Sequence, residues 1–249
     1  MALIVAAGRG QRFGGEIPKQ YRPLAGEPLL RHCARALVDH PGIDGVQVVY
    51  HPDDADLYER AVGDLDLAPP VAGGRTRQAS VLHGLEALAP GAPDRVLIHD
   101  AARPFLSRRI IDAAIGGLRD HDAALVAVPV VDTLKRGENG LAVATVDRGG
   151  LWRAQTPQAF RFEAILAAHR ALAGRELTDD AAVAEAAGLD ILLVPGEEEN
   201  FKVTTEEDLA RAERIVAARA LPRVGTGFDV HGFGAGDHVW LCGIRIDHD

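Results

Sequence analysis

Cysteine is nearly absent from this 249-residue chain: only Cys33 and Cys242 occur, far apart in sequence. That excludes a disulfide framework and any Cys-x-x-Cys metal or redox motif, and it suits a reducing compartment. Positive charge is also in short supply. The 27 Lys and Arg residues face 36 Asp and Glu, a formal net charge of −9, which argues against a nucleic-acid surface because neutralising phosphates needs a basic face. Long hydrophobic runs are missing as well. Residues 1–7 are apolar but lack a basic leader and are cut short by Gly8-Arg9-Gly10, while residues 123–131 fall well short of a bilayer-spanning length. The expectation is a cytoplasmic protein with neither a membrane nor a nucleic acid as partner. A hydrophobic content of 47% with 25% charged residues is ordinary for a globular chain, and the length allows one large α/β domain, or one domain plus a fragment.

What is present begins at the first residues. Leu3-Ile4-Val5 runs into Ala6-Ala7-Gly8-Arg9-Gly10-Gln11-Arg12-Phe13-Gly14-Gly15, and Pro18-Lys19-Gln20 follows. A buried strand ending in small residues lets backbone N–H groups approach an anion, with Arg12 and Lys19 supplying charge for a triphosphate. The segment is not a P-loop, since no Lys-Ser or Lys-Thr follows the glycines, and Phe13 stands where a dinucleotide fingerprint needs its third glycine. A plain strand-to-helix turn would use the same glycines. A local cationic cluster in an acidic chain nevertheless points to a small anionic ligand.

Apolar strand-like runs alternate with amphipathic helical stretches through the first two hundred residues, the pattern of an α/β domain with a mostly parallel sheet flanked by helices. The pattern predicts strands over 3–6, 46–50, 95–98, 123–130 and 191–194. Helices are expected over 29–38, 53–61, 78–88, 107–119, 161–173, 179–187 and 204–219. Between 135 and 152, two short β-like runs around Glu138-Asn139-Gly140 suggest a protruding β-arm that could join two subunits. Glycines crowd the tail after Pro222, so the domains are placed at 1–221 and 222–249.

Open α/β sheets bind ligands at the carboxyl ends of their strands. The residues there are Arg12 and Lys19, then Asp100-Ala101-Ala102-Arg103-Pro104, Asp132 and Thr133, and Lys202 with Thr204. Cations in such positions suit phosphoryl or nucleotidyl transfer, where charge grows on phosphate oxygens and no protein nucleophile is needed. The segment from Gly73 to Val81 could offer glycine backbone and Ser80 to a base edge, or could be a capped helix start with two surface arginines. Asp100 could bind a ribose or a metal-linked phosphate, or simply pair with Arg103.

Taken in order, Ala6-Ala7-Gly8-x-Gly10-x-Arg12, Pro18-Lys19-Gln20-Tyr21, Gly73-Gly74, Ser80-Val81, His99 to Pro104, Asp132-Thr133, Thr145 to Arg148, Thr156-Pro157-Gln158, Thr178-Asp179 and Lys202-Val203-Thr204 form one set. The first 220 or so residues thereby resemble the 2-C-methyl-D-erythritol 4-phosphate cytidylyltransferases. The resemblance implies a Rossmann-like nucleotidyltransferase fold and transfer of CMP from CTP to 2-C-methyl-D-erythritol 4-phosphate with Mg2+, releasing pyrophosphate, in non-mevalonate isoprenoid synthesis. It implies that Arg12 and Lys19 stabilise the transition state and that Arg148 and Lys202 position the acceptor phosphate. Ala6, Ala7, Gly8, Gly74, Ser80 and Asp100 would surround the nucleotide, and Arg103, Thr133 and Thr156 the sugar phosphate. The family's β-arm crosses to a second subunit, so a homodimer is expected, with Thr133 and Arg148 serving the neighbour's site.

Residues 223–233, which hold Asp229-Val230-His231, resemble the opening of the 2-C-methyl-D-erythritol 2,4-cyclodiphosphate synthases, a lyase family that occurs fused to the first. On a strand Asp229 and His231 would share one face, as two ligands of one Zn2+ or Mn2+ ion need. The family's third ligand, a histidine, would fall beyond Asp249, and His248 lies outside the matching motif; a truncated bifunctional protein is expected. Two other readings of the first domain stay open: a nucleotidyltransferase for another sugar or polyol phosphate, and a nucleotide-binding module without catalysis.

Overall fold

Val-, Ile- and Leu-rich runs that alternate their side chains between two covered faces are what a buried parallel sheet requires. The computed structural model, which describes residues 1–9, 13, 17–220, 225–227 and 236–247, shows such a sheet. The chain divides into two compact units, Met1–Ala217 and Ala218–Asp249. In the first, β1 (Ala2–Ala6), β4 (Val46–Tyr50), β5 (Val71–Ala72), β6 (Arg95–Asp100), β7 (Ala123–Pro129), β10 (Trp152–Arg161) and β11 (Ile191–Pro195) form one seven-stranded sheet in the order β11-β7-β10-β6-β1-β4-β5. Two short hairpins stand apart from it: β2 (Pro23–Leu24) with β3 (Glu27–Pro28), and β8 (Leu134–Glu138) with β9 (Leu141–Val146). The helices are α1 (Leu29–Val38), α2 (Ala55–Val62), α3 (Arg77–Leu88), α4 (Arg108–Gly117), α5 (Phe162–Ala171), α6 (Asp180–Ala186) and α7 (Glu206–Arg219).

The period of two along β1 sorts the core. Ile4 packs with Leu30, Cys33 and Leu37 of α1 and with Ile110 and Ile111 of α4. Leu3 points the other way, among Val81 and Leu85 of α3 and Phe162, Ile165 and Leu166 of α5. Gly84 permits the close seat of α3, since a Cβ there would stand 2.5 Å from a Leu3 methyl carbon and 2.7 Å from one of Val49. Each fully buried Leu or Ile of this kind contributes roughly 1.5–3 kcal/mol of transfer free energy.

Strand β10 departs from the expected pattern. It runs antiparallel between β6 and β7 and is bulged between Ala154 and Gln158, where the Thr156–Pro157 peptide is cis. Polar residues and a proline hide it in the sequence, yet Gln155, Thr156 and Gln158 are buried. They are tolerated because their polar atoms are paired. Gln155 donates to the Glu197 carbonyl at 2.8 Å and accepts from the Glu197 N–H at 3.3 Å. Gln158 donates to Asp179 and accepts from the Ala181 N–H, both at 2.8 Å.

The two expected β runs form the β8–β9 hairpin, turning at Asn139 and Gly140 with φ of +50° and +82°, the left-handed geometry that an Asn-Gly pair accommodates. Trp152, placed at the end of the arm by the sequence pattern, instead opens β10. In the second unit β12 (His238–Leu241) and β13 (Ile244–Asp247) form an antiparallel hairpin. The sequence pattern predicts no element there, and Asp229, His231 and His248 lie outside the described residues.

The Gln158 bracing of α6 is open to measurement. Gln158→Ala strands a buried N–H and a carboxylate oxygen, so it should lower the free energy of unfolding by about 1–3 kcal/mol in a denaturant titration. An unchanged midpoint and slope would show that the α6 terminus is held some other way.

Candidate functional site

The carboxyl ends of β1 and β6 open onto a cleft of about 690 Å3. Behind β1, the loop Ala7-Gly8 is pinned by Gln20, whose buried amide donates to the carbonyl oxygens of Ala6 at 2.7 Å and Gly8 at 3.1 Å. Gln20 belongs to a 3-10 turn over Lys19–Tyr21, which also sets Lys19 on the cleft wall with its Nζ 3.2 Å from the Val203 carbonyl. Arg9 is tied sideways to Asp54 at 2.9 Å, and to Asp53 and His51.

The opposite wall is the start of α3. A Cβ on Gly73 would overlap the Ala7 Cβ, so only glycine lets this loop press against the first one. Thr76 caps α3 by accepting from the Ala79 N–H at 3.1 Å. The Ser80 hydroxyl accepts from the Gly74 N–H at 3.0 Å and donates to the Thr76 carbonyl at 2.9 Å, so it braces the glycine turn from inside.

Asp100, the last residue of β6, is the junction of the site. Its Oδ2 lies 2.7 Å from Lys202 Nζ and its Oδ1 3.2 Å from Arg77 Nε. Arg77 reaches on to Asp180, donating to its Oδ2 at 2.7 Å, and His169 Nε2 stands 3.3 Å from the other Asp180 oxygen without hydrogen-bond geometry. Burial pushes both carboxyls up, but the charge of Arg77, joined at Asp100 by that of Lys202, outweighs it and holds both below the usual carboxylate range. Arg77 is held above its ordinary value, because the two carboxylates overcome the cost of burying the guanidinium.

His99 beside it is fully buried. Its Nε2 lies 3.1 Å from the Arg103 carbonyl and its Nδ1 3.0 Å from the Thr156 hydroxyl, which in turn accepts from the Asp100 N–H at 3.0 Å. These partners fit one neutral tautomer, protonated at Nε2. Cys33, equally buried, has its thiol pushed up to about 12 by desolvation and is no nucleophile.

Ala6, Ala7, Gly8, Lys19, Gly74, Ser80, Asp100 and Lys202 thus share one cleft. Among the described residues its wall carries five cationic side chains, Arg9, Lys19, Arg75, Arg77 and Lys202, against the single carboxylate of Asp100, a balance that favours a polyanion. Thr156 and Arg103, expected around the sugar phosphate, are not among the residues lining this cleft in the single chain. The Thr156 hydroxyl is consumed by His99 and Asp100, and Arg103 turns inward to the carbonyls of Asn200, at 2.8 Å, and Ala154. Nor does Asp100 pair with Arg103; it has Arg77 instead. Thr133 and Arg148 are exposed on the arm side and absent from the cleft of their own chain, with Arg148 donating to the Val131 carbonyl. Arg12 lies outside the described residues.

The sequence reading missed Gln20 as a loop anchor and Arg77 with Asp180 as an ion pair. Arg77 read as a surface arginine in a helical first turn. Its two partners are distant in sequence, so no local signal marks it. No group of three or more His, Cys, Asp or Glu able to cage a metal is found among the described residues, and no described helix is long and apolar enough to cross a membrane.

The family described as 2-C-methyl-D-erythritol 4-phosphate cytidylyltransferase (IspD) matches residues 1–218. The chain is 56% identical over 248 residues to the "Bifunctional enzyme IspD/IspF" of Rhodospirillum rubrum, covering 99% of this chain and 65% of that protein. It is 54% identical over 252 residues to the protein of the same name from Rhodopseudomonas palustris, covering 99% and 63%. It therefore spans a little under two thirds of the length of these relatives. Among solved structures, the 2-C-methyl-D-erythritol 4-phosphate cytidylyltransferase of Thermus thermophilus superposes with a TM-score of 0.73 at 32% identity, covering 87% of this chain and 98% of that one. The bifunctional IspDF of Campylobacter jejuni gives 0.72 at 25% identity, covering 84% and 53%. These neighbours share the mostly parallel sheet flanked by helices.

The His99 network has a pH signature. Burial pushes the imidazole down to about 4, and the Arg103 carbonyl and the Asp100 charge oppose that only in part. Below about pH 6.5 the unfolded chain takes up a proton that the folded chain refuses, so stability falls as the pH drops from there toward 4, by on the order of 3 kcal/mol in all. Denaturant midpoints between pH 7.5 and pH 5 should decline in the wild type and flatten in His99→Gln; parallel declines in the two proteins would place the acid-sensitive group elsewhere.

Proposed function

The chain belongs to the 2-C-methyl-D-erythritol 4-phosphate cytidylyltransferase family, and on that premise we propose that it transfers CMP from CTP to 2-C-methyl-D-erythritol 4-phosphate and releases pyrophosphate. The observation that carries this reading is the gathering of Lys19, Lys202 and the Ala6-Ala7-Gly8 backbone, distant in sequence, around one cleft. A phosphate oxygen of the acceptor attacks the α-phosphorus of CTP in line, a new P–O bond forms, and the bond to the β-phosphate breaks with its electrons going to pyrophosphate. Lys19, on the cleft wall, is the group that meets the charge growing on the phosphate oxygens, a role the family resemblance also gives to Arg12. Lys202 holds the acceptor phosphate from the Asp100 side. Holding both reactants in line removes much of the entropic part of the barrier.

Mg2+ fits this site as a cation carried in by the nucleotide. Asp100 is the one cleft carboxylate among the described residues and would be the protein group facing such an ion, which would bring most of its ligands with the nucleotide. When bound, it supplies neutralisation of the triphosphate charge. The arm supports a homodimer: Leu141 is 71% exposed and Val143 50% exposed in the single chain, apolar area that a second subunit would cover. Thr133 and Arg148 would then reach the neighbour's acceptor phosphate. The bifunctional names of the relatives support a full-length protein that also carries cyclodiphosphate synthase activity, with Asp229 and His231 among the ligands of its Zn2+ or Mn2+. The reaction is set in the cytoplasm, where the free thiols stay reduced.

The test is pyrophosphate release from CTP and 2-C-methyl-D-erythritol 4-phosphate by the purified chain; no release with this pair, or equal release with an unrelated polyol phosphate, overturns the assignment. Lys19→Ala should lower kcat by about 100-fold or more while changing the affinity for CTP little, and equal losses in both would reduce Lys19 to uniform binding. Arg148→Ala should raise KM for the acceptor and leave KM for CTP unaltered. Unchanged acceptor kinetics would remove Arg148 from the site.

A further inference from the structure

Lys202 gives one of its three N–H donors to Asp100, which offsets its charge, so it acts on a phosphate with its full charge only when that hold loosens. That pair is close, at 2.7 Å, and the Asp100 side chain is only 11% exposed. Were Lys202 to swing toward a bound phosphate with nothing else near Asp100, it would leave behind a nearly buried, unpaired carboxylate, which is costly. Arg77 changes that balance. It holds the other Asp100 oxygen through Nε at 3.2 Å, and it is itself fixed by Asp180, whose side chain is 1% exposed. Asp180 is in turn carried by the α6 terminus that Gln158 pins to β10. The guanidinium is thus anchored at its back and cannot follow a ligand into the cleft. Its two prongs suit this: the Nε edge serves one carboxylate and Nη2 the other, a reach that a lysine at this position would lack.

We propose that Arg77 is a positioning residue, the counter-ion that stays with Asp100 so that Lys202 can be released to a phosphate-bearing ligand. The Asp180–Arg77–Asp100 row is the fixed part of the site and Lys202, with its side chain 36% exposed, the mobile one. Without Arg77, Asp100 retains Lys202 and the ligand loses its cation even though Lys202 is still present. The inference rests on reading the cleft as a phosphate site, which is the reading proposed above.

A double-mutant cycle decides it, with 2-C-methyl-D-erythritol 4-phosphate, whose phosphate is assigned to Lys202 above, as the probe and its affinity measured by calorimetry. Arg77 and Asp180 are replaced together, as Arg77→Met with Asp180→Leu, so that Asp180 is not orphaned; because adding Lys202→Met then leaves Asp100 without a cation, all four proteins are checked by circular dichroism, and should one fail to fold, Arg77→Gln with Asp180→Asn, which keeps a hydrogen-bond donor beside Asp100, takes its place. In the wild-type background Lys202→Met should weaken the probe by about tenfold or more, whereas in the background without Arg77 binding is already weak and Lys202→Met should add less than about twofold. An equal Lys202→Met effect in both backgrounds overturns the proposal, as does wild-type protein that does not bind the probe. If the wild type binds the probe but releases no pyrophosphate when CTP is added, the proposed function falls while the cycle still decides the role of Arg77.

Discussion

A carboxylate at the end of the central strand, clamped between two cations, constrains most of what surrounds it. Asp100 closes β6 with its side chain almost out of water, and a buried charge persists only if it is paired and hydrogen-bonded. Arg77 must therefore come down from α3 and Lys202 must come in from the loop before α7. Arg77, buried in its turn, needs Asp180, and so the start of α6 is drawn to the same place. Segments far apart along the chain are fastened together by this one requirement.

A second set of fastenings is neutral. Gln20 holds the carbonyls behind the first loop, Gln155 holds the turn near Glu197, and Gln158 holds the start of α6. Each is a buried amide that satisfies backbone groups which strand and helix ladders leave over at their ends. Such side chains set loops with the precision of a sheet, because a displaced partner would leave a polar group unpaired in a dry interior. The cleft is consequently walled by rigid elements, with Lys202 as a cation whose outer end still faces solvent.

Sequence periodicity located the elements well where burial has a simple rhythm. Residues 29–38 form a helix as expected, the helix expected over 204–219 begins two residues later at Glu206, and β1, β4, β7 and β11 fall within a residue or so of their anticipated bounds. The Asn-Gly turn marked the β8–β9 hairpin because its backbone geometry is local. Strand β10 escaped for the opposite reason: its buried face is polar, and only the partners brought by other strands make that face acceptable. The site divides in the same way. Ala6, Ala7, Gly8, Lys19 and Lys202 are legible from small residues and charges that follow apolar runs. Arg103 carried the same kind of signal and Thr156 entered only through the family resemblance; in the single chain both are hydrogen-bonded to neighbouring backbone.

By itself, the sequence determined the class of fold, the succession of strands and helices, and the presence of cations at strand ends, because hydrophobic period, capping residues and turn chemistry act over a few residues. Tertiary structure alone decided which cations meet, which of them are already spoken for, and which hydroxyls are spent on the scaffold. Pairing energies depend on distance and on the exclusion of water, and both are properties of the folded interior, with no counterpart along the chain.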